Sequence, residues 1–473
     1  MKKYIAITFV ALAALTGCKD FLVEDPILSQ SNELTLATFD GLDKATLGAY
    51  SPLASASWYG NDFVLRTELA TSNGKKWIGS TFDSGRCNDL YNLIYNDNNT
   101  SGVWGYAYYV ISAANNIMDN LEGKESSDVT TQDLNNLKAE CLFLRALSHF
   151  DLVRVYAQPY CYTAGAKHPG VPVVLKTDPA AKPARNTVAE VYAQIEADLL
   201  EAESIIDPAY ARAGVADPTA AVTLEAIQAL LSRVYLYSEQ WQKSADYAAK
   251  VINSKKFNLW TVEDMTDAAC FAADVPAKGS EVIFEIYGSK QNSYDPYRDG
   301  LCPMCGPNGY GDAGASTDLL NLYEDGDVRK TLFQESEGVL WTAKYIGKGM
   351  ATPDLTNTIV LRLSEMYLNI AEAVANGATG HNGVAALEAI ATNRGATPQT
   401  VTKDGVYLER QKELAWEAHY WFDLGRTKRS MSRNDFIGDE SAKSLAWGDH
   451  KWAMPIPLRE IGVNPNLVQN EGY

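Results

Sequence analysis

The chain has 473 residues, enough for one large helical domain or for several small ones. Its residues are 46% hydrophobic and 21% charged, a globular balance that excludes a disordered or collagen-like chain. The formal net charge is −18, from 41 basic and 59 acidic residues, and no basic stripe is visible. This charge argues against a nucleic-acid partner, because most of the surface would repel a phosphate backbone.

The first residues have the layout of an export signal. A basic head at Lys2 and Lys3 precedes a mostly apolar stretch, residues 4–15, that is too short to span a bilayer. The sequence Leu-Thr-Gly-Cys then ends at Cys18, and small residues before a cysteine are what a lipoprotein signal peptidase requires. We expect cleavage after residue 17 and attachment to the membrane through a lipid on Cys18 alone. The alternative is a secretory signal with an incidental cysteine.

Charged residues follow the lipidation site closely, at Lys19, Asp20, Glu24 and Asp25. A segment of this kind resembles the signal that sends some lipoproteins to the outer leaflet of the outer membrane. We therefore expect exposure on the cell surface, with an ordinary flexible tether as the alternative.

The clearest periodicity in the chain is helical. Apolar residues recur every three or four positions across residues 134–150, which predicts a helix whose buried face includes Cys141. A capping box at Thr187 and Glu190 predicts the start of another helix. Two helix pairs and one further helix are predicted at residues 224–237 with 241–253, 359–376 with 383–394, and 404–424. Such pairs indicate irregular tetratricopeptide-like packing.

Strands are expected to be few, with the best candidates at residues 171–175 and 281–287. Long loops are predicted at residues 51–99 and 288–315, and loops of this length usually carry function. No boundary divides the chain into independent domains. We predict a mainly α fold, a tetratricopeptide-like helix-pair scaffold with long loop insertions and minor β structure.

No motif assigns a catalytic or metal-binding role. The chain has no HExxH or GxSxG motif, and its five histidines lack metal-ligand spacing. Residues 309–314 match GxGxxG, but no buried strand precedes them, so we predict a loop there and no cofactor. Residues 97–102 resemble the start of a calcium loop, yet Tyr108 stands where the bidentate Glu is required. An Asn-rich turn or a looser cation site remains.

The lone CxxC motif of Cys302 and Cys305 has no second pair and no suitably spaced histidines, which argues against zinc. A small disulfide clip and free thiols are both open interpretations of this pair. Paired carboxylates for glycoside hydrolysis are also open, because nothing selects two of the 59 acidic residues.

Two helical segments carry specific motifs. Residues 145–156, RALSHFDLVRVY, resemble the pattern RA-x-x-YF-x-L-x-x-x-Y, with His149 in place of the usual Tyr. Residues 361–373, LRLSEMYLNIAEA, match RLAE-x-YL-x-x-AEA closely. Their charged residues are expected to pair across a helical scaffold, so we assign them to folding.

Two further segments lie nearer the end of the chain. Residues 409–426 resemble the motif ER-x-x-EL-x-x-EG-x-R-x-x-DL-x-R, with Ala418 and Tyr420 in place of Gly and Arg. Residues 454–473, which begin with MPIP and end with NPNLVQNEGY, are the most specific match of the four segments. Together with the lipoprotein signal, the four segments resemble the SusD/RagB family of outer-membrane nutrient-uptake lipoproteins. The resemblance extends in order over essentially the whole chain.

The resemblance implies a tetratricopeptide-like scaffold that carries a loop-built site for an oligosaccharide. It also implies a partner, a SusC-like TonB-dependent porin, and no enzyme activity. We expect a signal peptide at residues 1–17 and one SusD-like domain at 18–473, with an N-terminal portion to about residue 275 and a C-terminal portion from 276. A peptide-uptake member of the same family, a surface glycoside hydrolase and an adhesin are the alternatives.

Sugars present flat C–H faces and a rim of hydroxyls, so a glycan site requires exposed aromatic rings beside planar amide or guanidinium groups. The loops at residues 68–99 and 287–314 offer both. Trp77 is the best candidate for a stacking ring, because Gly-Lys-Lys precedes it and argues against burial. Residues 68–71 also loosely resemble the segment before the family's binding aromatics. The predicted glycan contacts are Asn73, Trp77, Arg86, Asn88, Tyr91, Tyr294, Tyr297 and Tyr310.

Overall fold

The computed structural model describes residues 35–76, 84–215, 217–272, 275–288, 299–307, 309–336, 338–345, 347 and 355–473, with only the backbone of residues 97, 98 and 267. Its α-helices are α1 (Phe39–Tyr50), α2 (Asp62–Leu69), α3 (Asn88–Tyr91), α4 (Asp97–Asp119), α5 (Thr131–Tyr156), α6 (Val188–Ile205), α7 (Leu224–Tyr237), α8 (Trp241–Asn253), α9 (Val262–Met265), α10 (Ala269–Ala272), α11 (Leu301–Cys305), α12 (Thr317–Leu320), α13 (Leu363–Ala375), α14 (Gly383–Arg394), α15 (Lys403–Leu414), α16 (Tyr420–Arg426) and α17 (Leu458–Val463). Its strands are β1 (Gly74–Lys76), β2 (Val282–Ile286), β3 (Ala313–Ala315), β4 (Phe333–Ser336), β5 (Val339–Thr342), β6 (Thr358–Arg362), β7 (Met431–Ser432) and β8 (Ser444–Leu445).

The long helices pack in an array that follows their order in the chain. Helix α4 packs on α5, α5 on α6, α6 on α7 and α7 on α8, and α13 continues the array against α8 and α14. Capping boxes at Thr130 and Thr187 satisfy the first free amides of α5 and α6. This helix-pair scaffold confirms the predicted fold class, and the bounds predicted for α7, α8 and α14 are those observed.

Two small sheets connect parts of the chain that are far apart in sequence. One has the strand order β1-β3-β5-β4, in which Gly74 pairs with Ala315 and Lys76 with Ala313 in antiparallel register. The other pairs β2 with β6 and confirms the strand predicted near residues 281–287. The first sheet therefore joins the two predicted loop regions, because β1 belongs to one and β3 to the other.

A network of buried ion pairs joins the C-terminal helices to the second sheet. The carboxylate of Glu413 lies 2.7–2.9 Å from guanidinium nitrogens of Arg329, Arg362 and Arg394, and Glu281 bonds to Arg362 and Arg394 as well. Although burial raises it, the three arginines hold the pKa of Glu413 well below its usual value. This network confirms that the charged residues of the C-terminal motifs serve folding.

The strand predicted at residues 171–175 is wrong. The segment is irregular because most of its backbone bonds go to side chains; the carbonyl of Val171 accepts from the backbone amide of Asn186 at 3.2 Å, but no strand forms there. The amide of Val173 donates to Asn186 Oδ1 at 2.9 Å, and that of Val174 donates to His149 Nε2 at 3.3 Å. Burial lowers the pKa of His149 to about 3, so this histidine accepts the bond as a neutral ring.

Two other sequence predictions need correction. The predicted loop at residues 51–99 contains α2, in which every residue from Phe63 to Leu69 is buried. Its buried residues include Arg66, Thr67 and Glu68, so polar residues do not mark an exposed face here and the sequence lacks the pattern of an amphipathic helix. The predicted helix at 359–376 begins only at Leu363, because the residues before it form β6.

The helix predicted at residues 404–424 is interrupted by a turn. Helix α15 ends at Leu414 and α16 begins at Tyr420. Between them Trp416 and Ala418 have left-handed backbones, with φ of 64° and 62°. Such a backbone costs a residue with a Cβ about 1–2 kcal/mol, which explains why related motifs carry Gly where this chain has Ala418.

The predictions for the CxxC motif and for the glycine-rich residues 309–314 also need correction in part. Cys141 is buried in α5, as predicted. Cys302 and Cys305 lie on α11 and no disulfide joins them, so the disulfide clip is not formed. The predicted loop at residues 309–314 enters β3 at Ala313, because this strand pairs with β1 and β5.

We predict that glycine is tolerated better at position 418 than at position 415. Both alanines are buried in the same turn, but Ala415 has a φ of −54°. The variants Ala418→Gly and Ala415→Gly lose the same methyl group, and only the first is relieved of left-handed strain. Urea denaturation should show Ala418→Gly to be more stable than Ala415→Gly by about 1–2 kcal/mol. Equal losses would contradict this explanation of the turn.

Candidate functional site

The candidate site lies where the two predicted loops meet. Because β1 pairs with β3, the chain after Lys76 and the chain before Ala313 are at the same end of the strand pair. Beyond this end the two segments bond directly. The amide of Ser84 donates to Asp312 Oδ1 at 3.0 Å, and the Ser84 hydroxyl donates to Oδ2 of the same carboxylate. The pairing thus brings predicted residues from both loops together.

The centre of the site is a stack of Arg86 on Tyr310. The guanidinium carbon of Arg86 lies 3.9 Å from the centroid of the Tyr310 ring, and Nη2 lies 3.2 Å from the phenol oxygen. Its Nε is 3.6 Å from Oδ1 of Asp299, and Asn61 Nδ2 donates to the Asp299 carbonyl at 2.7 Å. Arg86 is exposed and Tyr310 is half-buried. The site therefore offers a flat cationic and aromatic surface to solvent.

Two of the predicted contact residues are buried and must be corrected. The Asn73 amide donates to Glu68 Oε2 and accepts from Gln411 Nε2, both at 2.9 Å. The Tyr91 ring stacks on Phe436 at 4.9 Å between centroids. Neither side chain has surface for a ligand, so both belong to the support of the site.

The remaining predicted residues lie in two groups. Asn88 is half-buried, and its side-chain oxygen accepts from the ammonium group of Lys76 at the end of β1. Trp77, Tyr294 and Tyr297 lie outside the described residues. Of the eight predicted contacts, Arg86 and Tyr310 are therefore the pair that the structure brings together at the surface.

The acidic residues of this site were not predicted from the sequence. Asp299 and Asp312 stand beside predicted residues in the chain, but their partners Arg86 and Ser84 are more than 200 positions away. The only signal was that polar residues occur in both long loops. We define the candidate site as Ser84, Arg86, Asp299, Tyr310 and Asp312.

The buried carboxyl group of Glu68 connects the candidate site to the interior of the protein. Burial raises the pKa of Glu68 to about 7, and the Asn73 side chain and the backbone amides of Trp416 and Ala418 oppose this rise. Asn73 links Glu68 to the end of β3, because the Asn73 backbone carbonyl accepts from the amide of Ser316, the residue after β3, at 3.0 Å. Glu68 therefore joins the strained turn to the β1–β3 pair.

The described residues contain no group of three or more His, Cys, Asp or Glu side chains that could hold a metal ion. Within the same part of the chain, no helix is long and apolar enough to cross a membrane. What the site can do chemically is to stack on a flat apolar face and to bond to hydroxyls. Its guanidinium, carboxylate and phenol groups supply the polar contacts.

Comparison with known proteins identifies the family. A SusD-like model, described as starch-binding and associating with the outer membrane, matches residues 20–236, and the SusD family model matches residues 317–473. A solved SusD superfamily protein from Bacteroides thetaiotaomicron is 30% identical, with a TM-score of 0.80 over 92% of this chain and 99% of that chain. The chain belongs to the SusD family.

Two other relatives extend this result. SusD-like protein P2 from Formosa agariphila is 28% identical over the full length of both chains. Surface glycan-binding protein A from Bacteroides thetaiotaomicron, solved in complex with laminarihexaose, is 19% identical, with a TM-score of 0.72 over 92% of this chain and 99% of that chain. The second likeness shows the fold alone. The SusD family consists of outer-membrane-associated carbohydrate-binding proteins, so this chain is a binding protein and not an enzyme.

We predict a pH dependence of stability that arises from Glu68. Its pKa rises from 4.5 in the unfolded chain to about 7 in the fold. A raised pKa means that the folded state binds the proton more tightly, so this stabilisation is complete below pH 4.5 and is lost as the pH rises through 7. Over that window wild-type protein should lose about 3 kcal/mol more free energy of unfolding than Glu68→Gln.

Urea denaturation at a series of pH values measures this difference. The variant Glu122→Gln serves as a control, because it makes the same substitution at an exposed carboxyl group. Identical pH profiles for wild-type protein and Glu68→Gln would contradict the assignment.

Proposed function

We propose that this protein captures oligosaccharides at the cell surface and delivers them to a SusC-like TonB-dependent porin in the outer membrane. The observation that carries the proposal is the exposed stack of Arg86 on Tyr310, which joins two loops more than 200 residues apart. Oligosaccharide is the ligand class that this surface fits best.

The chemistry of the stack supports this ligand. A sugar ring places its C–H face against an aromatic or guanidinium plane, while its hydroxyls need donors and acceptors at the edge. Arg86 supplies donors, and the Asp299 carboxylate supplies acceptors beside it. The family description as starch-binding and the laminarihexaose complex of surface glycan-binding protein A point to the same class of ligand.

We assign the remaining aromatic contacts to the same two loops. Trp77 follows β1 directly in the chain, and Tyr294 and Tyr297 precede Asp299 by a few residues. These rings would add stacking surface beside Tyr310. In this assignment Trp77 is the principal stacking ring, and Asn88 contributes an amide at the edge of the site.

We further propose that Cys18 carries the lipid that holds the protein to the outer membrane. The support is the basic head, the short apolar stretch and the small residues before Cys18. The mature chain, residues 18–473, would then act as one SusD-like domain over the porin. The acidic residues that follow Cys18 favour the surface-exposed leaflet.

We predict that Arg86 and Tyr310 each contribute to oligosaccharide affinity. Tyr310→Ala removes a ring contact worth about 0.5–1.5 kcal/mol and apolar area worth roughly 1–2 kcal/mol more. Arg86→Ala removes charge-assisted hydrogen bonds worth about 1.5–3 kcal/mol. Each variant should bind laminarihexaose or maltohexaose about tenfold to a few hundredfold more weakly in calorimetric titration.

Arg429 provides a matched control. Its guanidinium carbon lies 4.3 Å from the ring centroid of Tyr407, it pairs with Asp404, and 38% of its side chain is exposed, against 42% for Arg86. Arg429→Ala should therefore leave the affinity unchanged. A glycan array probed with residues 19–473 tests the function itself, and binding to no glycan, or sustained release of reducing ends, would overturn the proposal.

We predict that Cys18→Ala releases the protein from the outer membrane. Without the sulfur atom there is no acceptor for the lipid, and one lipid anchor is the only attachment expected. Fractionation of cells with metabolic lipid labelling measures the change, and Cys141→Ala is the control because Cys141 is buried in α5. Normal membrane retention and unchanged labelling of Cys18→Ala would refute the anchor.

A further inference from the structure

A second surface feature lies outside the candidate site, and none of the proposed contacts uses it. It is an open groove of about 590 Å³ between the end of α1, the first half of α4 and Arg459 of α17. We call it the tyrosine groove, because Tyr106 and Tyr109 on α4 form one side and are 39% and 62% exposed. The volume is within the usual range for small-ligand sites.

Glycines shape the floor of the tyrosine groove. A Cβ atom at Gly105 would lie 3.1 Å from Nη2 of Arg459, so the guanidinium group rests against the backbone of α4. A Cβ atom at Gly48 would meet no atom within 4 Å. The groove floor at Gly48 is therefore open, because no side chain at this position fills the space.

Hydrogen bonds connect the wall of the tyrosine groove to a segment of the candidate site. The carbonyl of Ser55, in the groove wall, accepts from the amide of Gly60 at 3.0 Å. The carbonyl of Gly60 accepts in turn from the amide of Leu301, also at 3.0 Å. Leu301 is two residues from Asp299, whose carbonyl accepts from Asn61. Two backbone hydrogen bonds therefore connect the groove wall to the segment that bears Asp299.

The lining of the tyrosine groove suits a polar chain with flat faces. Besides the two exposed tyrosine rings it includes three serines, and none of the described residues that line it is acidic. Arg459 is the charged group of the lining: its Nε donates to Glu460 Oε1 at 3.1 Å, and its Nη2 lies beside Gly105 of α4. Hydroxyls, phenol rings and a guanidinium plane are the groups that bind sugar rings.

We infer that the tyrosine groove is a second saccharide-contacting surface, which holds the end of an oligosaccharide that extends beyond the Arg86–Tyr310 stack. The inference rests on the proposed function, since it assumes that the candidate site binds oligosaccharide. It defines the preferred ligand as a chain long enough to contact both surfaces.

The test compares a long and a short probe on the same variants. Tyr109→Ala removes the more exposed ring, and Gly48→Gln fills the open floor without a steric clash at Cβ. Each should weaken binding of laminarihexaose or maltohexaose by about two- to tenfold and leave binding of laminaribiose or maltose unchanged. Tyr109→Phe, which keeps the ring, should bind the hexasaccharide like wild-type protein.

Tyr162→Ala is the control, because Tyr162 is an exposed tyrosine that lies outside both surfaces. Unchanged hexasaccharide affinity in Tyr109→Ala and Gly48→Gln would overturn the inference. Loss of co-purifying porin with unchanged affinity would also overturn it, and would assign the groove to protein docking. If wild-type protein binds neither laminarihexaose nor maltohexaose, the inference is overturned as well. If the protein nevertheless binds another glycan on the array, the proposed function is left intact.

Discussion

The contact of the Glu413 carboxylate with three buried arginines is the constraint on which the rest of the C-terminal half depends. Arg329, Arg362 and Arg394 come from three separate segments, and all three converge on the last turn of α15. Removing one partner of such a pair typically costs about 3–5 kcal/mol, because a buried charge is left without compensation. The position of α15, and of the turn that follows it, is therefore firmly held.

The turn at Trp416 and Ala418 connects α15 to the candidate site at the surface. Its left-handed backbone directs the amides of Trp416 and Ala418 toward Glu68, and Glu68 bonds to Asn73 beside β1. Because β1 pairs with β3, a firmly held β1 also positions the segment that bears Tyr310. The stack at the surface is thus the end of a chain of buried polar contacts. Scaffold and site are in this sense one structure.

Sequence patterns predicted helices α5 to α8 and α14 because helical signals are local, whereas α1, α2 and α4 were not predicted. The period of apolar residues and the capping box at Thr187 need only a few neighbouring positions, and the bounds of α7, α8 and α14 followed from them. Strands β1 and β3 have three residues each, and their pairing spans more than 200 positions. No local pattern marks such a pairing. The same limit explains Asn73 and Tyr91, whose burial is set by Gln411 and Phe436.

We propose that two loops far apart in sequence form one oligosaccharide site because β1 pairs with β3. Hydrogen–deuterium exchange of residues 19–473, with and without saturating laminarihexaose or maltohexaose, tests it most directly. We expect the oligosaccharide to slow exchange in residues 84–91 and 299–315 together. Slowed exchange in only one of these segments, or in neither, would contradict it.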